Sequence, residues 1–208
     1  MRKLSRRNVE NQKLTKNIIF SSLEESITTL KNAATAKFDE TVELHIRTNA
    51  DPRHSDQNIR GVTVLPHGLG KQIRVLVFAQ GEAALIAEQS GADFIGNDEL
   101  IAKIQGGWTD FDVSISTPDM MSKVGKLGRV LGRKGLMPNP RTGTVVNQDN
   151  IPKSIEQAKK GRVEFKLDRT SLIHVSIGKA SFSESQLVDN LNSLVGDVVK
   201  SKPSGVKG

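Results

Sequence analysis

Residues 73–79, IRVLVFA, form a nearly continuous apolar run. A run of strand length with no polar alternation predicts a β-strand buried on both faces, and such a strand needs a packed layer on each side of its sheet. The neighbouring sequence supplies those layers. A short helix is predicted over 82–90, stopping at Gly91, and Phe94-Ile95 reads as a brief strand. Asn97 caps a further helix that stops at Gly106-Gly107, and FDVSIS, 111–116, is a third strand. Thr117 is expected to cap a helix with Pro118 at its first position, where the missing N–H costs nothing. Strand and helix alternating at this spacing predict a small parallel, doubly wound sheet. Residues 125–144 then break the pattern, with Gly125, Gly128, Gly132, Gly135, Gly143 and two prolines.

The two ends of the chain are patterned differently. Ser22 and Glu25 form a capping box before a helix predicted to reach about residue 37, with Leu23, Ile27, Leu30 and Ala34 as its apolar stripe. A strand follows over 40–48, Val42, Leu44 and Ile46 alternating with Thr41, Glu43, His45 and Arg47. A polar loop, DPRHSDQNIRG, comes next. After a helix over 151–160, RVEFKLD and LIHVSI are alternating strands. Val163, Phe165, Leu167, Ile173, Val175 and Ile177 take the apolar side. Ser183 and Gln186 cap a last helix that buries Leu187, Leu191, Leu194 and Val198. The expected fold is therefore α/β and α+β: a discontinuous α+β domain from 1–66 and 154–208, with an α/β domain from 67–153 inserted in it.

The net charge is +7 among 208 residues, and its distribution matters more than its sum. Residues 1–16 hold six bases and one acid; residues 122–143 hold Lys123, Lys126, Arg129, Arg133, Lys134 and Arg141 and no acid. The rest of the chain is net negative. Concentrated cations are the footprint of a polyanion, because each neutralised phosphate releases counterions. A solvated basic surface without a partner is the alternative. No cysteine is present, which excludes disulfides, thiolate metal sites and a cysteine nucleophile. No run approaches the roughly 18 apolar residues of a membrane span. The basic N-terminus reads as a mature arm rather than a signal or transit peptide.

HGLGK, 67–71, superficially suggests a phosphate loop, but Leu65 stands where the first glycine belongs and Gln72 where Ser or Thr belongs. A glycine turn between strands is the better reading. The basic glycine-rich stretch, 124–145, suits phosphate contact: glycine lets a backbone come close and the cations supply charge. A mobile loop without a partner is its alternative. If the three alternating strands share a sheet, Glu43, His45, Arg47, Arg162, Glu164, Lys166, Asp168, His174 and Ser176 crowd one face. A mixed-charge face of that kind can grip folded RNA, though an ordinary solvated face has the same pattern. Catalysis is poorly supported. His45, His54, His67 and His174 have no close metal-ligand spacing, no serine lies in a nucleophile elbow, and no metal or cofactor is expected. A nucleotide-binding enzyme on the middle sheet would need a phosphate fingerprint that is absent.

The segments ATAKFDETVELHI, DPRHSDQNIRG, LPHGLGKQIRVLVFAQG, DFDVSISTPDMM, KLGRVLGRKGLMPNPRTGTV, GRVEFKLDRT and IGKASF occur in that order. Together they resemble the mobile-stalk family of large-subunit ribosomal proteins, universal large-subunit ribosomal protein one, in its bacterial and organellar form. The resemblance runs from about Lys31 to the end. It implies an RNA-binding domain made from both chain ends with a Rossmann-like domain inserted, and no enzymatic activity. It implies a monomer within the ribosome, no membrane, and contact with large-subunit rRNA and exit-site tRNA, assisting release of the deacylated tRNA. It also implies repression of the protein's own mRNA. The implied rRNA site is Lys37, Phe38, Glu40, Thr41, Glu43, Arg162, Glu164, Lys166, Asp168, His174 and Lys179. On the composition of their stretch, Lys126, Arg129, Arg133, Lys134 and Arg141 are the candidates for a second RNA contact. The chain departs from the family pattern in three places. A tail with a small-residue–Met–Gly element that touches rRNA usually follows Gly208; either the sequence stops short of it or this member's site lacks it. Arg133-Lys134 stands where Pro-Arg is usual, which is expected to add charge and loosen the loop. Ser171 stands where a turn glycine is usual, which implies strain if φ is positive there. The location is the ribosome of a bacterial cytoplasm or a plastid stroma, with a lean to the plastid.

Overall fold

The computed structural model describes residues 5–16, 22–203 and 206. Its chain is mixed α/β and divides into two compact units. One comprises Met1–Ile59, Leu65–Gly70 and Phe165–Gly208, the other Arg60–Val64 and Lys71–Glu164. No described helix is long and apolar enough to cross a membrane.

The second unit is organised by the apolar run. Its core is β3, Val75–Phe78, every residue of which is buried. Beside it lie β4, Phe94–Ile95, and β5, Val113–Ser116, in a parallel sheet of order β4-β3-β5. Val75 and Val77 pack on one side against Ala83 and Ala87 of α3, Glu82–Gln89, and Ile151 and Ile155 of α7, Ile151–Lys159. Leu76 and Phe78 pack on the other side against Ile104 of α4, Asp98–Gln105, and against Val124, Leu127 and Leu131. Period-2 alternation inside an all-apolar strand thus feeds two cores.

Two local expectations are refined here. Thr117 is the N-cap residue with Pro118 at the first position, and its carbonyl accepts from the Met120 N–H at 3.2 Å, but its side chain makes no capping bond: its hydroxyl and its N–H both point to the Phe78 carbonyl, at 3.5 and 3.0 Å. After a 3-10 turn at Pro118–Met120, the chain forms α5, Met121–Val124. The glycine-rich stretch is not a loop for most of its length. A 3-10 turn, Gly125–Leu127, leads into α6, Gly128–Lys134, which ends on left-handed Gly135. Val124, Leu127 and Leu131 are buried at helical spacing, and that burial holds a helix that glycine disfavours.

The first unit holds α1, Arg6–Thr15, and α2, Leu23–Ala33, the latter with the capping box of Ser22 and Glu25. The α2 helix stops four residues short of its expected end, where Ala34 turns extended and its N–H closes on the Leu30 and Lys31 carbonyls. Strand β1, Thr41–Arg47, pairs antiparallel with β7, Leu172–Lys179. The last helix, α8, Glu184–Lys200, carries its capping box at Ser183 and Gln186 and lies against β7 and α2. Leu187, Leu194 and Val198 are buried, but so is Asn190. Its amide accepts from the His67 N–H at 3.0 Å and donates to the Gly68 and Ile177 carbonyls, so HGLGK is a turn pinned to α8.

Candidate RNA interface

Pairing of β1 with β7 sets Glu43, His45 and Arg47 opposite Ser176, His174 and Leu172 on one face. Val42, Val175, Ile173 and Ile177 are buried on the other. Simple alternation would send Lys179 inward with Ile177. The register slips by one residue between Val42 and Glu43, so Thr41 pairs Lys179 and the lysine joins the outer face. Its ammonium donates to the Thr41 hydroxyl at 2.8 Å. Gly178 marks the slip. A Cβ there would lie 2.9 Å from the Phe182 ring and 3.0 Å from Leu187.

At the centre of the face, His45 Nδ1 and His174 Nδ1 are 2.5 Å apart, with the rings edge to face. One nitrogen must donate and the other accept. Glu43 lies 3.7 Å from His45 Nε2, and Asp168 lies 3.4 Å from His174 Nε2. Asp168 also organises the turn into β7. Its carboxylate accepts from the Thr170 hydroxyl, the Thr170 N–H and the Leu172 N–H, at 2.6–2.8 Å. Those hydrogen bonds, led by the Thr170 hydroxyl, hold its pKa down at about 2. Ser171 has φ +65°, so the turn is in the left-handed region that the usual glycine would occupy.

Before β1, Lys37 and Phe38 lie on an exposed bend, and Phe38 as a residue is 73% exposed. Glu40 accepts from the Ala36 N–H at 3.1 Å and from Arg7 at 2.5 Å. Glu40, Thr41, Glu43, Lys166, Asp168, His174 and Lys179 all fall in the first unit, as do Lys37 and Phe38.

Arg162 and Glu164 fall in the second unit. The expected three-stranded sheet of β1, β6 and β7 is not formed. Strand β6, Arg162–Lys166, pairs with β2, Arg60–Val64, in a separate sheet. Within the first unit, Leu167, just past β6, forms an isolated bridge with Ile173 of β7. The Leu167 N–H goes to the Ile59 carbonyl at 2.8 Å, so this edge is already engaged. Glu164 is gripped by Arg60, at 2.5 Å from Nη2 and 2.7 Å from Nε. The sequence does not show Arg60 as a site residue: its segment has the composition of a polar loop, and its partner lies 104 positions away. Arg162 is half-buried and donates to the Gly143 carbonyl at 3.4 Å. Burial draws its guanidinium below the ordinary range, and Glu164 opposes that.

The second predicted contact lies wholly in the second unit. Lys126, Arg129, Arg133, Lys134 and Arg141 are all exposed. Lys126, Arg129 and Arg133 follow helical spacing, so they share one side. Lys134 is engaged by the Thr109 hydroxyl. Arg133-Lys134 forms the last turn of α6, not a loosened loop, and cations suit that end of a helix. Gly125, Gly128 and Gly132 have open space where a Cβ would stand. A cavity of about 390 Å³ lies at the carboxyl ends of β3 and β5, where doubly wound sheets bind ligands. Gln80, Thr117, Asp119, Asn147 and Gln148 line it, and no lysine or arginine is among its lining residues. Among the described residues no cluster of His, Asp or Glu could hold a metal ion.

Residues 30–208 match the model of the "Ribosomal protein L1p/L10e family". A "Large ribosomal subunit protein uL1" of Dehalococcoides mccartyi is 60% identical over 184 residues, which cover 88% of this chain and 78% of that protein. A protein of the same name from Thermomicrobium roseum is 55% identical over 188 residues, covering 90% and 78%. These relatives are bacterial and give the lean to a plastid no support.

Proposed function

The chain belongs to the ribosomal protein L1p/L10e family in its bacterial form, and on that premise we propose that it is a structural constituent of the large ribosomal subunit that binds rRNA of the mobile stalk. It is a ribosomal protein and not an enzyme. In this reading its α+β domain, from the two chain ends, carries the main rRNA site, and the inserted Rossmann-like domain carries the basic contact on α6. Assistance to deacylated tRNA leaving the exit site, and repression of its own mRNA through the same face, belong to the reading.

The observation that carries the reading is the outer face of β1 and β7. It combines a carboxylate, two imidazoles, a hydroxyl and an ammonium held by hydrogen bonds and register. Fixed donors and acceptors of both signs suit the 2′-hydroxyls and base edges of folded RNA better than a plain cationic surface does. Phe38 adds an exposed ring on which a base can stack. In the second unit, Arg162 and Glu164, held by Gly143 and Arg60, are proposed as further rRNA-binding residues.

The test is the affinity for a stalk rRNA fragment. Glu43→Ala and Phe38→Ala should each weaken binding about tenfold, since a stacked base or a specific hydrogen bond contributes roughly 1–3 kcal/mol. Thermal stability should be unchanged because both side chains are exposed. Wild-type affinity in both variants would remove this face from the RNA site.

A further inference from the structure

The face described above has an attachment that the family match does not cover. Helix α1, Arg6–Thr15, lies outside the matched residues 30–208. None of its residues is buried, so apolar packing does not account for its position. It lies against α2, and Arg7 ties it to the start of β1, its guanidinium meeting Glu40 at 2.5 Å. Arg7 and Asn11 also line a cavity of about 220 Å³ with Leu30, Glu40, Thr41 and Glu43. The helix therefore stands beside the mixed-charge face without filling it.

The other side of α1 is cationic. At 100° per residue, Arg6, Lys13 and the C-cap Lys16 fall within an arc of about 80°, well away from Arg7 and Asn11. The stripe they form is about 15 Å long. Arg6, Lys13 and Lys16 pair with no acid among the described residues, and Glu10, the one acid of the helix, pairs with none of them. The two larger apolar side chains, Val9 and Leu14, lie about 140° apart around the helix, so no apolar stripe suits a lipid surface. Unpaired cations in a row, moored beside a proposed RNA face, match a phosphate backbone.

We propose that α1 is a third RNA contact: an arm moored by Arg7 on Glu40 that lays Arg6, Lys13 and Lys16 along the phosphates of the RNA bound by the β1–β7 face. This rests on the rRNA reading above. The Arg7–Glu40 pair has a double use, fixing the arm and neutralising a carboxylate that phosphates would otherwise meet.

The experiment measures the affinity of the full chain for a stalk rRNA fragment across a series of KCl concentrations. Wild type is compared with R6A/K13A/K16A, with Glu43→Ala, and with Arg7→Ala. The triple variant should bind about tenfold or more weakly near 0.1 M salt, and its slope of log affinity against log salt should be shallower by about 2. Arg7→Ala should weaken binding by freeing the arm. Glu43→Ala should weaken binding while keeping the wild-type slope. Because the three stripe residues are exposed, circular dichroism should show an unchanged fold. A triple variant with wild-type affinity and slope, while Glu43→Ala is impaired, overturns the arm and leaves the face standing. Failure of wild type to bind the fragment overturns both.

Discussion

At the scale of single residues, Ser171 records a conflict between local backbone energy and the turn it serves. Its φ of +65° is the only positive value at a non-glycine among the described residues. The turn is over-determined around it. Asp168 and Leu172 are joined by hydrogen bonds through backbone and side chain, and Thr48 donates to the Ser171 carbonyl through both N–H and hydroxyl. A residue with a Cβ costs roughly 1–2 kcal/mol in this region. Glycine would relieve that but lose more entropy on folding, about 0.4–1 kcal/mol. Ser171→Gly should therefore stabilise the chain by about 0.5–1 kcal/mol, read from the midpoint of urea unfolding. A midpoint at or below wild type would mean that the serine contributes something to the turn that its backbone geometry does not reveal. Since His174 follows three residues later, the same turn sets where β7 presents the centre of the face.

At the scale of elements, α6 is built against its own propensity. Gly128 and Gly132 carry ordinary helical roles, yet nothing lies within 4 Å of a Cβ placed on either. No packing demand explains them. Each costs about 0.5–1 kcal/mol relative to alanine in a helix interior. In the proposed RNA contact, that open space would let a phosphate approach the backbone between Arg129 and Arg133. G128A/G132A should raise stability by about 1–2 kcal/mol while weakening RNA binding, measured by thermal melting and by titration with stalk rRNA. A variant that gains stability and keeps full affinity would make the glycines irrelevant to RNA. The sequence hid this helix because glycine count outweighed the spacing of Val124, Leu127 and Leu131, which is helical. It showed β3, β5 and both capping boxes plainly, because an apolar run and a cap depend only on neighbours in the chain. The alternation that revealed β1 and β7 also misleads at Lys179. A one-residue slip depends on how Gly178 packs against Phe182 and Leu187, contacts that no period in the sequence encodes. Arg60 and Asn190 escaped for the same reason. Each acquires its role from a partner more than 100 positions away, Glu164 and His67 respectively.

At the scale of the whole molecule, charge and specificity are carried by different surfaces. The segments 1–16 and 122–143 hold net charges of +5 and +6, while the rest of the chain is net −4. The β1–β7 face belongs to that remainder and mixes signs. Cations on phosphates release counterions and so bind in a salt-dependent manner; hydrogen bonds between neutral groups, or between carboxylates and base amines, release none. If Arg6, Lys13 and Lys16 on α1 and Lys126, Arg129 and Arg133 near α6 supply the phosphate contacts, the slope of log affinity against log salt should be about −4 to −5. That slope should be shared by stalk rRNA and by an unrelated structured RNA of equal length. The two lines should run parallel, offset by an increment that salt does not change, and Glu43→Ala should shrink the offset without altering either slope. A steeper line for stalk rRNA would mean that recognition itself is made of phosphate contacts. The mixed-charge face would then be a solvated surface, and the two basic segments would carry specificity as well as attraction.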